Sequence, residues 1–159
     1  MKIKTLALVV SMAAVFTAGH LAFAAGGPHD KAIKARQAAM QLYNFNTGIL
    51  GAMAKEKMPY DAAIAAEAAN NLNALAMMGQ SQLWPAGSDN ATDGNAENRA
   101  LPAIWETYPK IVDADKAFAS AAAALAPVAG NGLAALQGGM GDVGASCKGC
   151  HDDFRAKKR

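Results

Sequence analysis

The feature that most constrains this chain is the absence of a strand-like pattern in an alanine-rich sequence. No segment alternates β-branched or aromatic residues with polar ones, which is the pattern typical of β-strands. Helical spacing recurs instead in four blocks, separated by stretches of Pro, Gly, Asn and Asp: about 30–57, 61–82, 102–129 and 133–157. Because most connections are short, the sequence predicts an all-α, antiparallel up-down-up-down four-helix bundle.

Local signals indicate where these helices begin. Asp30 and Asp61 are candidate N-cap residues, since an aspartate side chain can accept a hydrogen bond from a free backbone amide of the first turn. Pro109 is expected to kink the third block or to restart it. The longest connection, WPAGSDNATDGNAENRALP at residues 84–102, is dense in turn-forming residues. A loop of this length is expected to carry function or to pack against the bundle.

The first 24 residues have the organisation of a secretory signal peptide. Lys2 and Lys4 precede an apolar run over residues 6–18, and the segment ends Ala-Phe-Ala at residues 22–24. The alternative is an uncleaved membrane anchor, but the run is shorter than the roughly 20 residues that span a bilayer. We therefore expect cleavage before residue 25, a domain over residues 25–159, export to the periplasm and no membrane span in the mature chain.

The charge of the mature chain argues against binding to nucleic acid. Removing Lys2 and Lys4 leaves 13 of the 15 basic residues, which balances the 13 acidic residues. A nucleic-acid-binding domain needs a basic field, and this chain has none. The only local excess is the C-terminal run from residue 155 to residue 159, a pattern typical of a solvated helix end.

The two cysteines of the chain, Cys147 and Cys150, stand in the motif C-K-G-C-H with His151. A structural zinc site would need four ligands, and the only other histidine of the mature chain is His29. A thioredoxin-like redox pair belongs to a βαβ unit, for which no strand is predicted. A structural disulfide closing so short a loop would add little stability. The fourth interpretation is covalent attachment of a c-type haem, for which C-x-x-C-H is the signature.

The spacing of the motif suits haem attachment on a helix. Residues at i, i+3 and i+4 share one helical face, so two thioether bonds and one axial imidazole can reach the same ring. Export fits too, because this attachment takes place on the far side of the cytoplasmic membrane. The block before the motif is rich in glycine, which predicts that a bulky group approaches its backbone; the alternative is a loop near residues 138–141.

The chain resembles the class II c-type cytochromes, that is, cytochrome c' and its low-spin relatives. The resemblance covers essentially the whole mature chain and rests on four motifs: GDVGASCKGCHDDFR, ARQAAM, MPYDAA and LWPAGSD. It implies a four-helix bundle enclosing one covalent haem c, often as a periplasmic homodimer. Cys147 and Cys150 then correspond to the thioether residues, His151 to the proximal iron ligand and Arg155 to a basic residue on the proximal side.

The resemblance also implies residues on the other side of the haem. Arg36 corresponds to a basic residue near a haem propionate, with Gln37 beside it, and Ser88 and Asp89 correspond to loop residues that approach the haem. Met40, one turn after Arg36, takes the distal position. Its sulfur either ligates the iron, as in low-spin relatives, or leaves it five-coordinate, as in cytochrome c'. The PAGSD loop favours the five-coordinate state.

Two functions follow from this resemblance. The first is electron transfer by Fe(III)/Fe(II) cycling, with redox proteins of the periplasm as partners. The second is binding of NO or CO at a vacant distal position, with Met40 as a steric gate. An enzyme such as a peroxidase is not expected, because the only other histidine of the mature chain, His29, lies near a terminus and offers no distal acid–base group.

Overall fold

Four long helices and one short helix make up the computed structural model, which describes residues 26–158. In chain order the helices are α1 (Asp30–Ala54), α2 (Ala62–Met77), α3 (Ala103–Glu106), α4 (Tyr108–Leu125) and α5 (Leu133–Phe154). The long helices form a ring in which α1 packs against α2 and α5, and α4 packs against the same two helices. The predicted four-helix bundle is confirmed.

The N-terminal prediction falls outside the described part of the chain. Residues 1–24, the predicted signal peptide, are not among the described residues, so their cleavage stays a prediction. Across residues 26–158 no helix combines the length and the apolar character that crossing a membrane requires.

One of the two predicted N-caps is right and one is wrong. Asp61 caps α2, because its Oδ1 accepts a hydrogen bond from the amide of Ile64 at 2.9 Å. Asp30 is instead the first residue of α1, and His29 occupies the cap position without a side-chain hydrogen bond. The Asp30 carboxylate accepts from the amide of Ala96 at 2.8 Å. The Asp30 side chain is therefore used in a contact with the long loop and, contrary to the prediction from the local sequence pattern, does not cap α1.

The third block is divided, as one of the two alternatives for Pro109 predicts. Helix α3 ends and α4 begins at Thr107, and Pro109 lies in the first turn of α4. A proline in the first turn lacks only an amide that would have no helical partner. Pro109 therefore restarts the helix and does not kink it.

Helix α5 is continuous, so the alternative of a loop near residues 138–141 is wrong. A methyl group built on Gly139 would lie 2.6 Å from Cδ1 of Leu125 in α4, so this glycine allows close packing of the two helices. The other glycines of α5, Gly138, Gly141, Gly144 and Gly149, face open space. Close packing against α4 explains Gly139, and the expectation that a bulky group approaches the other glycines of α5 stays a prediction.

Two apolar clusters hold the bundle together. The larger contains buried residues of all four long helices, with Leu50, Leu72, Leu125 and Leu136 fully buried at its centre. The smaller lies at one end of the bundle and is formed by Ala100, Ile104 and Phe154. This end also holds the long connection between α2 and α4 and the C-terminal turns of α5, where the haem motif lies.

Candidate functional site

The haem motif occupies the last two turns of α5. Cys147, Cys150 and His151 are all half-buried and helical. Cys147 packs against the larger apolar cluster and Cys150 against the smaller one. Both are free thiols, and burial raises the pKa of each. Two neutral thiols one helical turn apart, against apolar side chains, are therefore placed to attach one flat apolar group.

The imidazole of His151 is held in its neutral form. Burial lowers its pKa, and the positive charges of Arg155 and Arg99 lower it further. A neutral imidazole keeps the lone pair that a metal ion needs, whereas a protonated ring would have to lose its proton first. The environment of His151 therefore suits an axial iron ligand at neutral pH.

The residues of the alternative zinc interpretation are not assembled into a ligand set. Among residues 26–158 no three or more His, Cys, Asp or Glu side chains are placed to hold a metal ion together. His29 instead lies at the start of α1, where its Nε2 is 3.6 Å from the point that a Cβ atom on Gly87 would occupy.

Arg36 is the most heavily engaged polar side chain near this end of the bundle. It is 4% exposed and lies on α1. Its Nη1 donates to Oγ of Ser88 at 2.6 Å, and its Nη2 donates to the Ser88 carbonyl and, at 3.0 Å, to Oδ1 of Asn98. The guanidinium also lies 4.8 Å from the ring centroid of Trp84. Burial lowers the pKa of Arg36, and the charge of Asp89 partly opposes this.

The loop partners of Arg36 are themselves buried. Ser88 is fully buried and Asp89 is 7% exposed. The Asp89 carboxylate accepts from the amides of Ala91 and Thr92 and from the Thr92 hydroxyl, at 2.8–2.9 Å. Burial works to raise the pKa of Asp89, but these hydrogen bonds outweigh it and the pKa is lowered. The structure thus brings together Arg36, Ser88 and Asp89, which the sequence placed far apart.

The remaining sequence-predicted residues are more exposed. Gln37 donates to the carbonyl of Glu97 at 2.9 Å and so ties α1 to the long loop. Met40 lies on α1 one turn after Arg36 and is 38% exposed. Arg155 is exposed at the end of α5. The contacts of Gln37, Met40 and Arg155 do not test their roles near a haem, and these roles stay predictions.

A second polar group, missed from the sequence, connects α1, α4 and the segment after α2. The Tyr43 hydroxyl donates to the Leu75 carbonyl at 2.8 Å and accepts from Nε2 of Gln80 at 3.3 Å. Burial, and then the charge of Asp115, raise the pKa of Tyr43 to about 12. Burial also raises the pKa of Asp115. The one available signal was the position of Tyr43, three residues after Met40 on α1.

Tyr43, Phe118 and Cys147 all pack against the larger apolar cluster, so this group borders the cysteine pair. Phe118 of α4 meets the Tyr43 ring edge-on, with the centroids 5.1 Å apart. The side chains near the motif therefore include the aromatic pair Tyr43 and Phe118 and the carboxyl group of Asp115.

Residues 31–155 match the sequence model of the family described as Cytochrome C'. The chain belongs to the cytochrome c' family. It is 42% identical over 128 residues to cytochrome c-554 of Cereibacter sphaeroides, covering 80% of this chain and 95% of that protein. It is 39% identical over 137 residues to cytochrome c' of the same species, covering 86% and 89%.

Solved structures of the family have the same fold. Cytochrome c' from Rhodobacter Spheriodes is 38% identical, with a TM-score of 0.78, covering 82% of this chain and 98% of that chain. A ferrous variant of cytochrome c' from Alcaligenes xylosoxidans, solved with bound NO, is 31% identical with a TM-score of 0.67, covering 80% of this chain and 94% of that chain. Another relative, 32% identical, is described as showing ligand-controlled dimer dissociation.

The cofactor of this family is haem c, bound covalently, and the residues at the end of α5 fit it. Cys147 and Cys150 are the only cysteines of the sequence, and both are unpaired beside apolar surface. His151 follows directly and is neutral for the reasons given above. This donor set, two thiols and one imidazole, is the one that covalent haem attachment requires.

Proposed function

We propose that this protein is a periplasmic electron carrier whose haem c is attached through Cys147 and Cys150 and ligated by His151. The observation that carries the proposal is the placement of two half-buried thiols and one imidazole in the last two turns of α5, with each thiol against an apolar cluster. When bound, the haem supplies a one-electron Fe(III)/Fe(II) couple, which needs no general base or nucleophile. The apolar packing around the cysteines limits water near the ring and so helps to set its potential.

In this proposal the other residues hold the pocket and its charges. Arg36 is a buried cation without an ion-pair partner among its hydrogen bonds, and it is therefore suited to a nearby haem propionate. Gln37 and Ser88 fix the long loop against α1, and Asp89 orders the loop itself through hydrogen bonds from Ala91 and Thr92. Arg155 contributes positive charge beside His151.

The proposal is for a carrier and not for an enzyme. A distal acid–base group is the feature that a haem peroxidase needs, and His29 stands at the start of α1 beside Gly87. Assay of the purified haem protein for peroxide turnover checks this. Sustained turnover well above that of free haem would contradict it.

Gas binding at the distal position is proposed as a second function. A ferrous variant of one relative was solved with bound NO. In this chain Met40 lies on α1 and is 38% exposed, and the proposal assigns it to the distal side of the haem. The alternative is a six-coordinate iron with the Met40 sulfur as sixth ligand, and a carrier that binds no gas.

Optical spectra of the reduced protein, with and without CO, separate these two states. A five-coordinate iron gives a high-spin spectrum that changes on adding CO, whereas a Met40-ligated iron gives a low-spin spectrum. Met40→Ala should change the spin state only if the sulfur is bound. Met77→Ala is the matched control, because Met77 is 73% exposed at the end of α2. A low-spin iron that does not react with CO would rule out gas binding.

The proposed carrier forms a homodimer through an apolar face of α1 and α2. Leu42 and Phe45 are 52% and 65% exposed on α1, and Ile64 is 43% exposed on α2. A relative is described as showing ligand-controlled dimer dissociation, and exposed large apolar side chains at helical spacing are typical of a protein interface. Sedimentation of Phe45→Lys against Tyr108→Lys, a comparably exposed residue on α4, tests the face. The proposal requires that only Phe45→Lys yields monomer.

A further inference from the structure

Residues 99–101 pair with the segment that follows α5. The Leu101 amide donates to the carbonyl of Phe154 at 3.0 Å, and the Ala156 amide donates to the carbonyl of Arg99 at 2.9 Å. Phe154 is 5% exposed and anchors the smaller apolar cluster. The pairing is therefore held by main-chain hydrogen bonds and by burial of Phe154, and it does not depend on the Arg99 side chain.

This pairing brings Arg99 close to the haem ligand. Arg155 lies one helical turn after His151, and its amide donates to the His151 carbonyl at 3.3 Å. Arg155 in turn forms an antiparallel bridge with Ala100, the neighbour of Arg99. The half-buried Arg99 side chain runs along the same edge, where its Nη1 donates to the Ala156 carbonyl at 3.4 Å.

We propose that Arg99 is a positioning residue for the haem site: the pairing of residues 99–101 with 154–156 holds its guanidinium beside His151, and its charge raises the reduction potential of the iron that His151 ligates. Nothing in the C-x-x-C-H motif predicts this residue, since Arg99 lies about fifty residues upstream in the long loop.

The direction of the effect follows from charge. Iron(III) carries one more positive charge than iron(II), so a fixed cation nearby destabilises the oxidised form. In the redox step one electron enters from a one-electron donor in solution, and no covalent bond forms or breaks. The inference rests on haem attachment and not on the proposed role as a carrier.

Spectroelectrochemical titration of the haem-loaded protein tests the proposal. Arg99→Gln and Arg99→Met remove the charge, and each should shift the equilibrium with a fixed mediator dye by roughly two- to tenfold towards the oxidised haem, the range for one charge at a partly exposed site. Arg99→Lys keeps the charge and should retain most of the wild-type potential. Lys55→Gln, which removes one charge at the opposite end of α1, should cause no shift.

Four results would overturn the proposal. The first is a wild-type potential in both neutral variants. The second is a shift in Arg99→Lys as large as that in Arg99→Gln, which would assign the effect to packing. The third is loss of folding in both neutral variants, measured by circular dichroism, because main-chain hydrogen bonds and the burial of Phe154 hold the pairing without the Arg99 side chain. A shift in Lys55→Gln equal to that in Arg99→Gln would likewise reduce the effect to total charge.

Discussion

Replacing Arg36 with alanine should remove the main contacts that hold the long loop against α1. The guanidinium makes three well-formed hydrogen bonds, two to Ser88 and one to Asn98, and it stacks on Trp84. Each buried acceptor that loses its donor costs about 1–3 kcal/mol, and loss of the cation–π contact costs about 1 kcal/mol. Part of this loss of stability is offset, because water can enter the gap and because a buried charge no longer has to be desolvated. We expect a net loss of about 3 kcal/mol.

Two variants show whether the hydrogen-bonding fork or the charge matters. Arg36→Lys keeps the charge but can reach only part of the acceptor set, so we expect it to cost about 2 kcal/mol. Gln37→Ala is the matched control on the same turn of α1, since it removes a single exposed hydrogen bond to Glu97 and should cost about 0.5 kcal/mol. At about 4 °C per kcal/mol for a domain of this size, Arg36→Ala lowers Tm by about 12 °C.

Urea unfolding of the haem-loaded protein, followed by far-UV circular dichroism, measures these costs. The loop should also become sensitive to limited proteolysis between residues 84 and 101 in Arg36→Ala before the bundle unfolds. If Arg36→Ala costs no more than Gln37→Ala, the buried hydrogen bonds do not hold the loop and the reasoning is wrong.

Two further predictions concern packing and pH. Gly139→Ala should destabilise the protein by about 1–2 kcal/mol, because the new methyl group meets buried Leu125. Gly138→Ala, where the new methyl group meets no neighbouring atom, should stabilise the protein by about 0.5–1 kcal/mol. Thermal unfolding of both variants measures these changes. The pKa of Tyr43 is raised to about 12 in the folded state, so the unfolded chain loses this proton at a lower pH than the folded protein does. The free energy of unfolding should therefore fall as the pH rises from 10 to about 12. Tyr43→Phe should reduce this fall and the exposed Tyr108→Phe should not, in urea unfolding across that range.

The bundle was predictable because its signals are local. Helical spacing, the restart at Pro109 and the cap at Asp61 each depend on residues within one or two turns, and the structure reproduces all three. Asp30 shows the limit of such rules. Its carboxylate meets the amide of Ala96, sixty-six residues away, and no property of the neighbouring residues indicates that contact.

The site was predictable only where a motif or a resemblance covers it. The C-x-x-C-H spacing identifies three residues on one helix, and resemblance adds Arg36 and the loop serine and aspartate. Tyr43, Gln80 and Asp115 come from three separate elements, and they meet only because the helices pack in a particular register. Arg99 was missed for the same reason, since its position depends on a main-chain pairing that no side chain in the loop predicts.

The two ends of the bundle are fastened in different ways, and this bears on function. At the end away from the haem motif, the Tyr60 hydroxyl donates to the Ala129 carbonyl and accepts from the Gly132 amide, so one side chain joins two short turns. At the motif end a long loop is held by Arg36 and by the pairing of Arg99 with Ala156. The proposed haem site lies only at the second of these ends. If that proposal is right, changes at Tyr60 should alter stability alone, whereas changes at Arg36 should alter both stability and reduction potential.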